Sequence, residues 1–216
     1  MASSLTTVVQ NARKLHTATV FFLHGLGDSG YGWAPETEKM GKALEHVKII
    51  LPNAPVQPVT INSGMEMPSW YDIYALGDTE DILKDRVDEE GVLSSVVSVN
   101  RLIRNEIDAG IHSNRIVVGG FSQGAAIGIT VGISSEYPLE KTLTMATDAN
   151  KNTPIFMGHG IYDQVVPFRL GKLSHDLIKS KGYPITFKTY NIQHSSSPEE
   201  TEDVIKFLQQ VIPENF

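Results

Sequence analysis

The 216-residue chain carries 18 Lys and Arg residues against 25 Asp and Glu residues, a formal charge of −7 at pH 7, and 41% of its residues are hydrophobic. This acidic balance argues against a nucleic-acid partner, because phosphates are bound by basic surfaces. The chain has no cysteine, which excludes disulfides, thiolate metal sites, a cysteine nucleophile and lipid attachment to cysteine.

The length suits one domain, which we expect to cover residues 1–216. No apolar run approaches the roughly 18–20 residues that a membrane-spanning helix needs. The N-terminus lacks the basic start and apolar stretch of a signal peptide. We therefore expect a soluble protein without stable membrane insertion, in the cytoplasm or also in the nucleus.

Short apolar runs predict five buried strands, at residues 19–23, 47–51, 115–118, 154–157 and 185–190. Nearly continuous hydrophobicity, rather than alternation, is typical of strands that are covered on both faces of a parallel sheet. Amphipathic stretches separate these runs, and such alternation of strands and helices predicts an α/β domain.

Apolar residues at helical spacing predict four helices. Their stripes are Met40, Ala43, Leu44, Val47; Val96, Val99, Ile103, Ile107; Leu170, Leu173, Leu177; and Val204, Phe207, Leu208, Val211, Ile212. Ser197 is expected to cap the last helix, with Pro198 at its first position and Glu200 completing a capping box. Gly110 and Gly182 are expected just past the ends of two others.

Two stretches predict loops. Residues 52–78 are rich in proline and predict a long irregular segment, a kind that is often functional in compact domains. The acidic run at residues 85–90 predicts a solvated surface loop.

The strongest chemical signal is the sequence GFSQG at residues 120–124. It follows a predicted strand and precedes a helix rich in small residues, which is the context of a nucleophile elbow. We predict that Ser122 is an exposed nucleophile on a tight turn. A strand–helix turn with an unreactive serine is the plainer alternative.

A serine nucleophile needs a base and an acid. After a nucleophile elbow they follow along the chain in the order acid, then histidine, on loops after later strands. His194 follows the strand at 185–190 and is the predicted base, whereas His175 falls inside a helix. Asp163 follows the strand at 154–157 and is the predicted acid. Asp148 is a rival, because it follows a weaker β-like run.

Two backbone N–H groups are needed to bind the oxyanion that forms during acyl transfer. One is predicted from Gln123, directly after the nucleophile. The other is predicted from Leu26, in a loop whose glycines allow close approach of a substrate carbonyl. No metal is expected, because His159 and Asp163 alone do not make a site. No cofactor is expected either, since no nucleotide-binding glycine motif follows a strand.

Taken together, these motifs resemble the acyl-protein thioesterase and lysophospholipase family, small carboxylesterases of the α/β-hydrolase fold. The resemblance rests on FLHGLGD at 22–28, LPNAPV at 51–56, MPSWYD at 67–72, NRIVVGGFSQG at 114–124, HGIYD at 159–163 with VP at 166–167, and HS at 194–195. It implies a mostly parallel central sheet with helices on both faces and no separate cap domain.

The resemblance also implies a function and a substrate site. Ser122, Asp163 and His194 would form the triad, with Leu26 and Gln123 in the oxyanion hole. The substrates would be S-acylated proteins or lysophospholipids, and a weak homodimer is expected. The apolar wall of an acyl channel would be built from Trp70, Ile73, Tyr74 and Leu76.

The sequence departs from the family pattern in two places. The segment at 140–153 is shorter than usual and lacks the Leu-Ser-Gly turn that normally follows another central strand, so residues 141–147 are either a degenerate strand or what remains of it. Asn191-Ile192-Gln193 replaces a glycine-containing turn before His194. The shortened segment leaves a catalytically inactive binding protein as one alternative to a thioesterase. Among enzymes, the alternative is a lysophospholipase or short-chain carboxylesterase.

Overall fold

The computed structural model describes residues 5–75, 88–133 and 150–214. The strands in these ranges are β1 (Thr7–Gln10), β2 (Ala18–Leu23), β3 (Val47–Pro52), β4 (Val56–Val59), β5 (Met65–Pro68), β6 (Ile116–Gly120), β7 (Ile155–Gly160) and β8 (Ile185–Tyr190). The helices are α1 (Gly30–Ala43), α2 (Glu89–Asp108), α3 (Gln123–Ile133), α4 (Phe168–Ser180) and α5 (Pro198–Val211). All five predicted strands are confirmed, with ends shifted by at most a few residues.

Four strands form one sheet in the order β1-β3-β2-β6. Strands β2, β3 and β6 are parallel, while β1 runs antiparallel along the edge of β3. Strands β7 and β8 form a separate parallel pair, and β4 and β5 form an antiparallel hairpin. Within the described ranges β6 pairs only with β2, and β7 only with β8. Residues 141–147 lie outside those ranges.

Two clusters of buried apolar side chains cover the two faces of the larger sheet. Val20 of β2 packs with Met40 of α1 and Leu208 of α5. Leu23, on the opposite face of the same strand, packs with residues of α2 and α3. Helices therefore cover both faces, as expected for a mostly parallel sheet. No helix in the described ranges combines the length and apolarity needed to cross a membrane.

The ends of several helices follow their local sequence. Ser197 accepts a hydrogen bond from Glu200 N at 3.1 Å at the start of α5, and Pro198 is the first residue of that helix. Gly110 and Gly182, past the ends of α2 and α4, have φ of +103° and +87°, which glycine adopts without strain. The first predicted stripe is cut short, because α1 ends at Ala43.

Two loop predictions are wrong in part. Residues 52–78 contain the β4–β5 hairpin rather than only irregular chain. Within the acidic run, Asp88 caps α2 by accepting from Gly91 N at 2.9 Å, and Glu89 and Glu90 form the first helical turn. Negative side chains favour this position because the N-terminus of a helix carries partial positive charge.

Candidate active site

Ser122 lies at the turn between β6 and α3, with a φ of +52°. A left-handed backbone is strained for a residue with a Cβ, and such strain clusters at functional sites. The turn also requires its two glycines. A Cβ at Gly120 would lie 2.5 Å from the Leu23 carbonyl oxygen, and one at Gly124 would collide with the carbonyls of Leu23 and His24. At both positions the backbone of the turn lies too close to the end of β2 to leave room for a side chain.

A continuous line of hydrogen bonds joins Ser122, His194 and Asp163. His194 Nε2 lies 2.9 Å from Ser122 Oγ, and His194 Nδ1 lies 2.6 Å from Asp163 Oδ2. Asp148 lies outside the described residues. His175 lies on α4, where it bonds Asp176 and stacks on Phe187. The three side chains selected from the sequence are therefore brought together.

The Asp163 carboxylate is held as an anion by its hydrogen bonds. Burial alone would raise its pKa, but bonds from His194 and from the amides of Val166 and Val165 outweigh that effect and lower the pKa. Both amides donate to Oδ1 at 2.8 Å, which leaves Oδ2 for His194. The acid is thus charged and oriented at neutral pH.

The loops that carry Asp163 and His194 are hydrogen-bonded to each other. Ile161 N donates to Tyr190 O at 2.9 Å, and Tyr162 N donates to Ile192 O at 3.1 Å. A Cβ on Gly160 would collide with the carbonyl oxygens of this second loop. The chain at 191–193, which lacks the usual glycine, therefore still packs directly against the loop of the acid.

Aromatic rings support the base on its other side. The ring of Phe121 lies 4.8 Å from that of His194, and Trp33 lies 5.0 Å from Phe121. Since Phe121 directly precedes the serine, the same turn that holds Ser122 also supports His194.

The backbone amides of Leu26 and Gln123 have no acceptor among the described residues. The loop that carries Leu26 is fixed by a bond from Gly27 N to Pro68 O at 2.8 Å, with Gly27 at a φ of +76°. Both residues line the cleft beside Ser122. Their amides are available to an oxyanion.

The Gln123 side chain has a second structural role that the sequence did not reveal. Its Nε2 donates to Tyr71 O at 2.7 Å and to Ser69 Oγ at 3.0 Å, and its Oε1 accepts from Trp70 N at 2.9 Å. The residue is 3% exposed. The Gln123 side chain therefore attaches residues 69–71, which lead into the wall of the cleft, to helix α3.

Of the residues predicted to form the acyl channel, two line the cleft beside Ser122 and one is buried. Ser122, Ile73 and Tyr74 line the same cleft. Trp70 is 1% exposed and donates from Nε1 to His24 O at 2.8 Å, so it lies behind this wall. Leu76 lies outside the described residues.

No group of three or more potential metal ligands occurs in the part of the chain that is described. His159 Nε2 lies 3.9 Å from Asp163 Oδ2, which is too far for the pair to share an ordinary hydrogen bond.

Residues 5–212 match a protein family described as phospholipase/carboxylesterase. The chain belongs to this family. Proteins named acyl-protein thioesterase 1 are similar over most of their length: that of Gibberella zeae is 44% identical, with 94% of each chain covered. That of Neurospora crassa is 42% identical, with 92% of this chain and 88% of the relative covered.

Solved structures agree with the family. Zea mays acyl-protein thioesterase 2 superposes with a TM-score of 0.79 at 27% identity, covering 96% of this chain and 99% of the other. Arabidopsis thaliana SOBER1 gives 0.81 at 27% identity, covering 90% and 99%. The predicted α/β-hydrolase fold and the predicted class, a carboxylesterase-type hydrolase, are confirmed.

Proposed function

We propose that this protein is a serine hydrolase that cleaves long-chain acyl thioesters from S-acylated proteins. The hydrogen-bonded line from Ser122 through His194 to Asp163 carries the proposal. The names of its relatives supply the substrate class. Ser122 is the nucleophile, His194 the general base and Asp163 the group that orients it.

In the first half of the reaction, Ser122 Oγ attacks the thioester carbonyl carbon while its proton passes to His194 Nε2. The carbonyl oxygen becomes an oxyanion and accepts hydrogen bonds from Leu26 N and Gln123 N. Collapse of this intermediate breaks the carbon–sulfur bond. The departing cysteine sulfur takes the proton from His194, and the acyl group remains on Ser122.

In the second half, water attacks the acyl-serine and gives a proton to His194. The second tetrahedral intermediate releases the fatty acid and returns the proton to Ser122. Asp163 keeps its negative charge throughout and stabilises the imidazolium, because its pKa is held low by its three hydrogen bonds. No cofactor or metal takes part in these steps.

The acyl chain lies along the wall formed by Ile73 and Tyr74, with Trp70 supporting it from behind. The sequence also predicts Leu76 for this wall. Each methylene that is buried there contributes about 0.8 kcal/mol. We therefore expect kcat/KM to rise with acyl length until the cleft is filled.

The test compares acyl thioesters and oxyesters of increasing length on the wild type and on Tyr74→Asp. Tyr74 is 37% exposed, so the substitution spares the core, and Tyr31, exposed and remote in sequence from this wall, supplies Tyr31→Asp as a matched control. In Tyr74→Asp, but not in Tyr31→Asp, kcat/KM for long-chain substrates should fall at least about tenfold more than kcat/KM for acetyl esters. Equal losses of kcat/KM at every acyl length would reject the assignment of this wall to acyl binding.

A lysophospholipase or short-chain carboxylesterase is the second candidate, because the family description names both phospholipases and carboxylesterases. It predicts equal or faster turnover of oxyesters and no release of fatty acid from an S-acylated protein. A fluorophosphonate probe tests the third alternative, an inactive binding protein, because only an activated serine forms the phosphorus–oxygen bond. The weak homodimer stays a prediction, checked by sedimentation.

A further inference from the structure

His159 lies in β7, before the loop that carries Asp163, and the reaction above gives it no role. Its side chain is 9% exposed. Its Nε2 lies 2.9 Å from the carbonyl oxygen of Val166. A carbonyl oxygen only accepts, so Nε2 carries a hydrogen and donates it.

That bond links His159 to Asp163 through Val166. Val166 N donates to Asp163 Oδ1, while Val166 O accepts from His159. The residue that holds one oxygen of the Asp163 carboxylate is therefore itself held by His159. If Val166 moves, the carboxylate loses one of the two amide bonds to Oδ1 that direct Oδ2 toward His194.

Two residues of α4 contact the His159 ring, so it can act as an anchor. A Cβ on Gly171 of α4 would collide with the ring, which therefore packs on bare helix backbone. Phe168 of the same helix contacts the ring edge-on, with centroids 5.9 Å apart.

We propose that His159 is a positioning residue for the acid of the triad, acting through Val166 rather than on the substrate. The inference rests on the proposed function. Small displacements of catalytic groups have large effects on rate, about a hundredfold for 1 Å. We therefore expect loss of the His159 bond to lower kcat about tenfold to a hundredfold and to leave KM within about twofold.

Three substitutions separate position from bulk. In His159→Gln the amide nitrogen stands as many bonds from Cα as Nε2 does, so it reaches Val166 O and restores most of kcat. In His159→Asn it is one bond short, and in His159→Leu the donor is gone, so both should lose activity. Rates are divided by the fraction of protein that a fluorophosphonate labels at completion, which removes the contribution of misfolded molecules.

A double-mutant cycle with Asp163→Asn gives the second readout. If His159 acts through Asp163, His159→Leu should change kcat less than about twofold in the Asp163→Asn background. Full retention of kcat by His159→Leu, or an equal loss in both backgrounds, would overturn the proposal. No rescue by Gln in a protein that still melts like the wild type would also overturn it.

Failure of the proposed function looks different. A wild-type protein that neither turns over esters nor reacts with a fluorophosphonate would reject the hydrolase itself. The proposal about His159 fails only when the wild type is active and its variants do not follow the pattern above.

Discussion

Ser122 and its two proposed partners lie on two different sheets, whose strands differ in burial. In β2 and β3, which belong to the same sheet as β6 and its Ser122 turn, most residues are buried, whereas β6 itself is half-buried. In β7 and β8, which carry Asp163 and His194, most are half-buried or exposed. The Ser122 turn thus belongs to a sheet with a large core, whereas Asp163 and His194 lie on loops that local hydrogen bonds join to each other.

This difference indicates where the site is sensitive to change. Near Ser122, we expect a substitution that keeps the hydroxyl group to lower activity only if it disturbs packed backbone. Near Asp163 and His194, we expect the loss of one bond to suffice, because the cluster joined by β7 and β8 has only two buried members among the described residues, Ile178 and Tyr183. The variants below test that contrast, from the largest expected effect to the smallest.

Removing the nucleophile should give the largest loss. Ser122→Ala is expected to lower kcat by about 10⁵–10⁶-fold, as deletion of a triad serine does elsewhere, and to abolish fluorophosphonate labelling. The melting temperature should not fall, because the core around this turn does not depend on the hydroxyl. Substantial turnover by a pure sample would reject the assignment.

Changing the acid should cost less, about 10³–10⁴-fold in kcat. Asp163→Asn keeps the shape of the side chain but presents His194 in the wrong tautomer. Asp148→Asn is the matched control and should be nearly silent. A larger loss of kcat in Asp148→Asn than in Asp163→Asn would place the acid on the segment after α3. The contrast between the two regions would then no longer hold.

Hydrogen exchange compares the regions directly. Amides of the buried residues Val20 and Ile49 should exchange only on global unfolding, while those of Phe156 and Met157 should exchange through smaller openings, at least about tenfold faster. Equal protection would mean that both regions unfold together.

The smallest effect concerns a carboxyl at the edge of the second region. Glu200 packs against Gly158 of β7, and burial raises its pKa to about 7, opposed in part by the backbone of Ser197. The folded protein holds this proton more tightly than the unfolded chain, so stability is fully present below pH about 4.5 and is lost as pH rises through 7.

Glu200→Gln should therefore match the wild type at low pH and be more stable above pH 7, by about 1–2 kcal/mol after allowance for solvent exposure. Denaturant titrations of both proteins between pH 4.5 and 8 measure the difference. A constant difference across this range would reject the buried acid.

Much of this site could be predicted because its signals are local. The residues at 120–124 specify a tight turn by themselves, and Ser197 specifies a helix start. The order of strands after the turn then left few positions for a base, of which His194 alone stood in a loop.

Other features could not be predicted because their partners are distant or their patterns are ambiguous. Strand β1 has four residues of mixed exposure and joins the sheet as an antiparallel edge. Pro58 and Pro68 suggested a loop, yet proline is tolerated in the edge strands of a hairpin. The contacts of Gln123 join residues about fifty positions apart, and no local pattern announces them.

The aromatic contacts beside the site have an optical consequence. The chain has two tryptophans. Trp33 reaches His194 through one phenylalanine ring, and Trp70 lies 5.3 Å from the ring of His24 and bonds its carbonyl. We expect acylation of Ser122 to change the surroundings of His194 and His24, which neighbour the two tryptophans. The intrinsic fluorescence of the unlabelled protein should therefore report the acyl-enzyme in real time.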